Sequence, residues 1–146
     1  MIYAKCIRSE KIAKTKEEFI SRKNETPPVY FVGETTESPV GQDTLDCVPL
    51  NFIYDCLKYG DYIAIVDVDN KEQNYPFNAS FLKVKLSMTK QTITKIMKAN
   101  SKEAIDFVFD NVGNNAIVHD GYKSWLSSEL QEYFSKRKSE SWTNIN

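Results

Sequence analysis

Apolar and polar positions follow two rhythms along this chain, with strand-like stretches dominating the first 86 residues and helical spacing the rest. The most apolar and β-branched run is Asp61-Tyr62-Ile63-Ala64-Ile65-Val66-Asp67-Val68-Asp69. It predicts a strand covered on both faces, at the centre of a sheet. Tyr62, Ala64, Val66 and Val68 share one face. Ile63 and Ile65 share the other and give way there to Asp67 and Asp69, so burial is expected to end at Asp67.

Before this strand, residues 1–8 predict a short first strand. Thr15 with Glu18 three residues later has the spacing of a capping box and opens a helix to about Arg22. Pro27 and Pro28 cannot continue it, because proline lacks the amide donor and holds its predecessor extended. Val29-Tyr30-Phe31-Val32-Gly33 then reads as a compact strand, and residues 34–46, with Pro39 and Gly41, as a long polar loop. Pro49 opens a helix over 50–59, where Leu50, Ile53, Tyr54 and Leu57 recur at helical spacing and Gly60 falls just past the end.

After the central strand, residues 70–78 form a polar turn region carrying Pro76. Residues 79–86 alternate, with Leu82, Val84 and Leu86 on one face and Lys83 and Lys85 in water, which predicts a half-exposed antiparallel strand. From Ser87 the period changes. Ile93, Ile96 and Met97 predict a helix over 90–99, and Ile105, Val108 and Phe109 a second over 102–110. Residues 111–115 carry a turn signal, and 116–118 suit a brief extended piece. A last helix over 122–136 sets Leu126, Leu130, Tyr133 and Phe134 in one stripe, and the polar residues 138–146 are expected to fray. Strands followed by helices make an α+β fold: a mostly antiparallel sheet centred on residues 62–68 with C-terminal helices packed on it, in one domain over 1–137.

Composition narrows the function classes. At 146 residues the chain suits one domain. A hydrophobic share of 41% and a charged share of 27% are those of a soluble globular protein. A net charge of −1 argues against a chain built mainly to neutralise phosphates. No apolar run approaches the roughly 20 residues of a membrane helix, and the N-terminus lacks a signal-peptide core, so an intracellular protein without a membrane partner is expected. Cys6, Cys47 and Cys56 form no C-x-x-C pair and read as inert thiols, not as a zinc site or a disulfide framework.

Three chemistries present themselves beside plainer readings. Asp67 and Asp69 project from one face of a strand end, where two carboxylates can hold Mg²⁺. Ile65-Val66-Asp67-Val68-Asp69 resembles the first motif of haloacid-dehalogenase-type phosphotransferases, which implies Asp67 as nucleophile and Asp69 as general acid. Lys71 stands where that motif usually has a hydroxyl residue, and the motif normally opens a longer domain; acidic residues ending a strand at the solvent explain the pair more simply. His119, the one histidine, could serve a dyad with Cys47 or Cys56. Beside Asp120-Gly121 it reads more simply as a turn residue. Lys83 and Lys85, with Lys136-Arg137-Lys138 near Trp142, offer a thin basic surface for nucleic acid or nucleotide, although the second group also suits a helix C-terminus.

A broader resemblance lies toward the C-terminus. Ser101-Lys102-Glu103-Ala104-Ile105-Asp106-Phe107-Val108-Phe109-Asp110-Asn111-Val112-Gly113-Asn114-Asn115 is similar to the second helix and following turn of an ankyrin repeat. Residues 54–69 and 81–86 look like the non-repeat leader that precedes ankyrin arrays in mimivirus-like giant viruses. The Thr-Pro-Leu-His repeat opening is absent, and one partial unit cannot stack where about three are needed. The resemblance implies a stand-alone leader-type viral domain in the host-cell cytoplasm that contacts another protein. The reading that follows is a non-enzymatic protein-interaction (accessory) domain without a cofactor, whose recognition surface lies in residues 34–46 and includes Glu34, Glu37 and Asp43. A nucleic-acid or nucleotide-binding protein is the alternative, and an Mg-dependent phosphotransferase using Asp67 and Asp69 the second.

Overall fold

The computed structural model describes residues 2–38, 41–68, 80–112 and 118–143. Six strands, β1 (Tyr3–Ile7), β2 (Thr35–Glu37), β3 (Leu45–Pro49), β4 (Tyr62–Asp67), β5 (Leu86–Met88) and β6 (Lys90–Lys98), form one sheet in the order β2-β6-β4-β1-β3-β5. Every pairing is antiparallel. The helices are α1 (Lys16–Ser21), α2 (Phe81–Val84), α3 (Lys102–Val112) and α4 (Ser128–Thr143), with 3-10 segments at Ser9–Lys11, Leu50–Tyr59 and Asp120–Trp125. The α+β class and the antiparallel sheet are those the sequence pattern predicts. No helix among the described residues is long and apolar enough to cross a membrane.

β4 divides the core as its alternation requires. Ile63 and Ile65 pack with Ile53, Met97, Ile105, Val108 and Phe134 in the layer formed with the helices. Ala64 and Val66 face the opposite way, onto Tyr3, Ile7, Tyr30, Cys47 and Ile93. Each fully buried aliphatic or aromatic side chain contributes about 1.5–3 kcal/mol, so both faces hold the sheet together. Asp67 is exposed, and burial on the Ile63 and Ile65 face ends there, while Val68 stays half-buried on the opposite face. The cap of α1 also forms: Thr15 Oγ1 accepts from the Glu18 amide at 3.1 Å, while Glu18 Oε2 reaches back to the Lys14 amide at 2.6 Å.

The stretch expected to be a helix over 90–99 is the strand β6, Lys90–Lys98. The β4 register jumps from Ile65↔Lys95 to Val66↔Ile93, which leaves Thr94 as an extra residue in β6. Such a bulge shifts the face of every later side chain. Ile93 and Ile96 therefore lie on one side and Met97 on the other, and the three-residue step between the isoleucines imitates a helical period. The β-branched content of Gln91-Thr92-Ile93-Thr94 is the local signal that favours extended chain.

Other elements depart for local reasons. Residues 29–33 make a single parallel bridge, Ile12↔Tyr30, before a turn in which Gly33 has φ +88°. Residues 34–46 are not one loop, since β2 and the start of β3 lie within them. Residues 81–86 begin as the single turn α2, with Val84 buried and Leu82 outward, and Lys85 is only partly exposed. Leu50–Tyr59 is 3-10, whose three-residue turn aligns Leu50, Ile53 and Cys56 on the buried side. The last helix is split into Asp120–Trp125 and α4, and α4 runs on through 138–143, the stretch expected to fray. The turn regions 70–78 and 113–115, and most of the extended piece at 116–118, lie outside the described residues.

Candidate functional site: a cleft between β1 and β3

β1 and β3 pair only at Tyr3↔Pro49 and Ala4↔Val48. β1 continues beside β4 as far as Ile7↔Tyr62, whereas β3 turns away to β5 through Cys47↔Leu86, Asp46↔Ser87 and Leu45↔Met88. The two strands part, and a cavity of about 610 Å³ opens between them. Lys5, Cys6 and Ile7 line one wall and Leu45, Asp46 and Val48 the other; Tyr30, Cys56, Tyr59 and Leu82 also border it.

Alternation along β1 sends Tyr3, Lys5 and Ile7 to one face of the sheet and Ala4 and Cys6 to the helix-covered face. Lys5 is thus an ammonium placed between two core side chains. Its Nζ donates to Tyr30 Oη at 2.5 Å and to Gln91 Oε1 at 2.9 Å. Gln91, only 1% exposed, also donates from Nε2 to the Asp46 carbonyl at 3.0 Å. β6 lies three places from β3 in the strand order, so this contact requires the sheet to curl over its Tyr3 face.

Electrostatics follow from enclosure. Burial lowers Lys5 from 10.5 to about 8, against the opposing pull of Cys47 and Asp46. Burial likewise raises the Tyr30 phenol, with Asp46 and Cys47 adding to it. The Cys6 thiol is raised by burial, and Cys56 is pushed up to about 12 for the same reason. Both thiols stay protonated at neutral pH and are poor nucleophiles. At the outer edge Asp46 accepts from Ser87 Oγ at 2.6 Å and lies 3.8 Å from Lys85. Leu82 at 73% and Tyr59 at 54% exposure give the mouth an apolar rim.

The residues singled out from sequence lie elsewhere. Glu34 follows the turn after Tyr30, 3.4 Å from Lys16, and Glu37 sits on β2, 3.7 Å from Lys90. Asp43 is exposed in the bend before β3. Asp67 ends β4 in solvent, while Asp69 lies outside the described residues; no cluster of three metal-ligating side chains occurs among those described. His119 caps the 3-10 segment Asp120–Trp125, its Nδ1 accepting from the Gly121 amide at 2.9 Å, and its ring stacks on Tyr54 at 4.0 Å. Arg137 donates to Asp110 at 2.6 Å and Lys138 to Asp120 at 2.7 Å, so two of the three clustered cations serve ion pairs.

Sequence reasoning missed Lys5, Tyr30 and Gln91. One signal was present: Lys5 stands two residues from Tyr3 and from Ile7, which marks a charge on an apolar face. Nothing local marks Gln91 or Tyr30 as its partners, because the curl of the sheet brings them there.

Fold and cleft together define an α+β protein with a lysine set in an opening between two strands of its sheet. No family model, no curated protein and no solved structure matches the chain.

Proposed function

We propose that this protein binds a small organic ligand in the β1/β3 cleft, with an oxygen-bearing end at Lys5 and an apolar body along Ile7, Leu45, Val48 and Leu82. The observation that carries this is the Lys5 ammonium, held by Tyr30 and Gln91 on the wall of a cavity of about 610 Å³. Burying an ammonium stabilises a fold less than a well-packed aliphatic would, so its presence favours a use beyond stability. Among the described residues two of its three donors have hydrogen-bond partners, which leaves one for a ligand. A mostly apolar cleft with a few convergent polar groups is the usual form of a small-molecule site.

Titration with the fluorescent sulfonate 8-anilinonaphthalene-1-sulfonate tests the reading. Saturable 1:1 binding is expected, weakened about tenfold or more by Lys5→Met and by Thr44→Trp, which puts an indole on a residue of the cleft lining. Absence of saturable binding, or binding indifferent to both variants, overturns it.

A second reading keeps the protein partner, favoured by the exposed pair Tyr59 and Leu82 at the mouth. Alanine at Glu34, Glu37 and Asp43 should then weaken capture of that partner without lowering the melting temperature. Unchanged capture counts against that surface.

A further inference from the structure

We propose that the Lys5 amine condenses reversibly with an aldehyde ligand, so that the cleft is a carbonyl-binding site holding its ligand as a protonated imine. This rests on the ligand-binding reading of the cleft and names the chemical class of ligand.

Four features of the site favour it. Lys5 lines the cavity, and two hydrogen bonds, to Tyr30 Oη and Gln91 Oε1, fix the direction of its amine. Burial lowers its proton affinity, so at neutral pH a far larger share is free amine than for a solvated lysine, and the free amine is the nucleophile. The Tyr30 phenol, raised by burial, keeps its proton and stands 2.5 Å away as a hydroxyl able to pass one. The Cys6 and Cys56 thiols bordering the cleft are protonated and do not compete for the carbonyl carbon.

The step balances without an oxidant or reductant. The ammonium gives up one proton, and the nitrogen lone pair forms a C–N bond as the carbonyl π pair moves to oxygen. That oxygen takes a proton relayed through Tyr30, giving the carbinolamine. The nitrogen gives up a second proton, and as the C–O bond breaks the oxygen leaves as water with that proton. In sum, R–NH₃⁺ + O=CHR′ gives R–NH⁺=CHR′ + H₂O. The iminium keeps one N–H for Gln91 Oε1 and leaves the positive charge where the fold already accommodates it.

The test uses the whole chain with 4-formylbenzoate and sodium cyanoborohydride, which reduces an imine to a stable secondary amine that peptide mass mapping locates. Lys5 is expected to label about tenfold or more faster than the other lysines, with a pH profile turning near 8 and not near 10.5. Tyr30→Phe should slow labelling of Lys5, and Lys5→Arg should abolish labelling at that position. Labelling spread evenly over the lysines overturns the proposal, and this wild-type result does not depend on any variant folding. If the sulfonate binds in the cleft and Lys5 stays unlabelled, the imine is wrong and the ligand reading stands. If neither occurs, both fall.

Discussion

Lys5 Nζ and Gln91 Oε1 stand 2.9 Å apart although 86 positions separate them in sequence. Gln91 also caps the Asp46 carbonyl, so one side chain ties β6 to both strands that border the cleft. Gln91→Leu removes an acceptor from a half-buried ammonium and a donor from a backbone carbonyl. Unsatisfied buried groups cost about 1–3 kcal/mol each, and a loss of stability in that range is expected from urea unfolding. Lys5→Met with Gln91→Leu should cost less than the sum of the single changes, because each removes the same bond. Strict additivity would mean the two do not act as a unit.

The pH dependence of stability carries the mark of Lys5. Its native value of about 8 lies below the ordinary 10.5. Below about 8 both states hold the proton and the burial penalty is fully present. Between about 8 and 10.5 the unfolded chain binds more protons than the native one, so the Lys5 contribution to stability rises with pH. Cys56, raised from 9.0 to about 12, pulls the opposite way, and because burial is its main cause and the Lys5 charge a lesser one, most of that pull is common to the wild type and Lys5→Met. The difference between their stability curves should therefore climb with pH across that window. A flat difference would show that the ammonium is solvated.

Gly60 is held by contact and not by backbone torsion. Its φ of 170° is extended chain, but a Cβ would sit 2.2 Å from the Ile7 carbonyl carbon and 2.7 Å from the Arg8 amide nitrogen. Backbone cannot swing aside as a side-chain tip can. Gly60→Ala is expected to lower stability by about 1–3 kcal/mol, read as a shifted urea midpoint. Ile7 and Arg8 both line the cleft, so sulfonate binding should weaken with it. An unchanged midpoint would contradict this close approach.

Glu25 contributes to the acid limb, as do the depressed carboxyls of Glu18 and Asp120. Arg22, donating from Nε at 2.6 Å, and Lys11 at 3.1 Å hold its carboxyl at about 2 instead of 4.5. A depressed carboxylate adds stability above its unfolded value, and that stability is lost as pH falls from about 4.5 through 2. Glu25→Gln should make the fall in stability over that interval shallower, followed by circular dichroism. An identical acid limb would remove the ion pairs from the account.

Legibility followed the range of the interactions. Thr15 and Glu18 cap a helix through atoms three residues apart, and that pairing was readable. β6 was not, because the residue inserted at Thr94 depends on which β4 residue faces it. β2 and the start of β3 lay unread inside a polar stretch, since β2 is held by partners at 90–92 and β3 by partners at 3–4 and 86–88. The candidate site was still less visible, as its three polar groups come from β1, the bridge at Tyr30 and β6.

By itself the sequence determined the class of fold, the two faces of β4 and the end of burial at Asp67, because side-chain alternation in a strand is a property of the backbone alone. Only the tertiary structure decided that β3 leaves β1 after Val48, that the sheet curls to bring Gln91 to Lys5, and that an opening results. Strand partners and register depend on packing between distant segments, and no local pattern of residues encodes which edge a strand will choose.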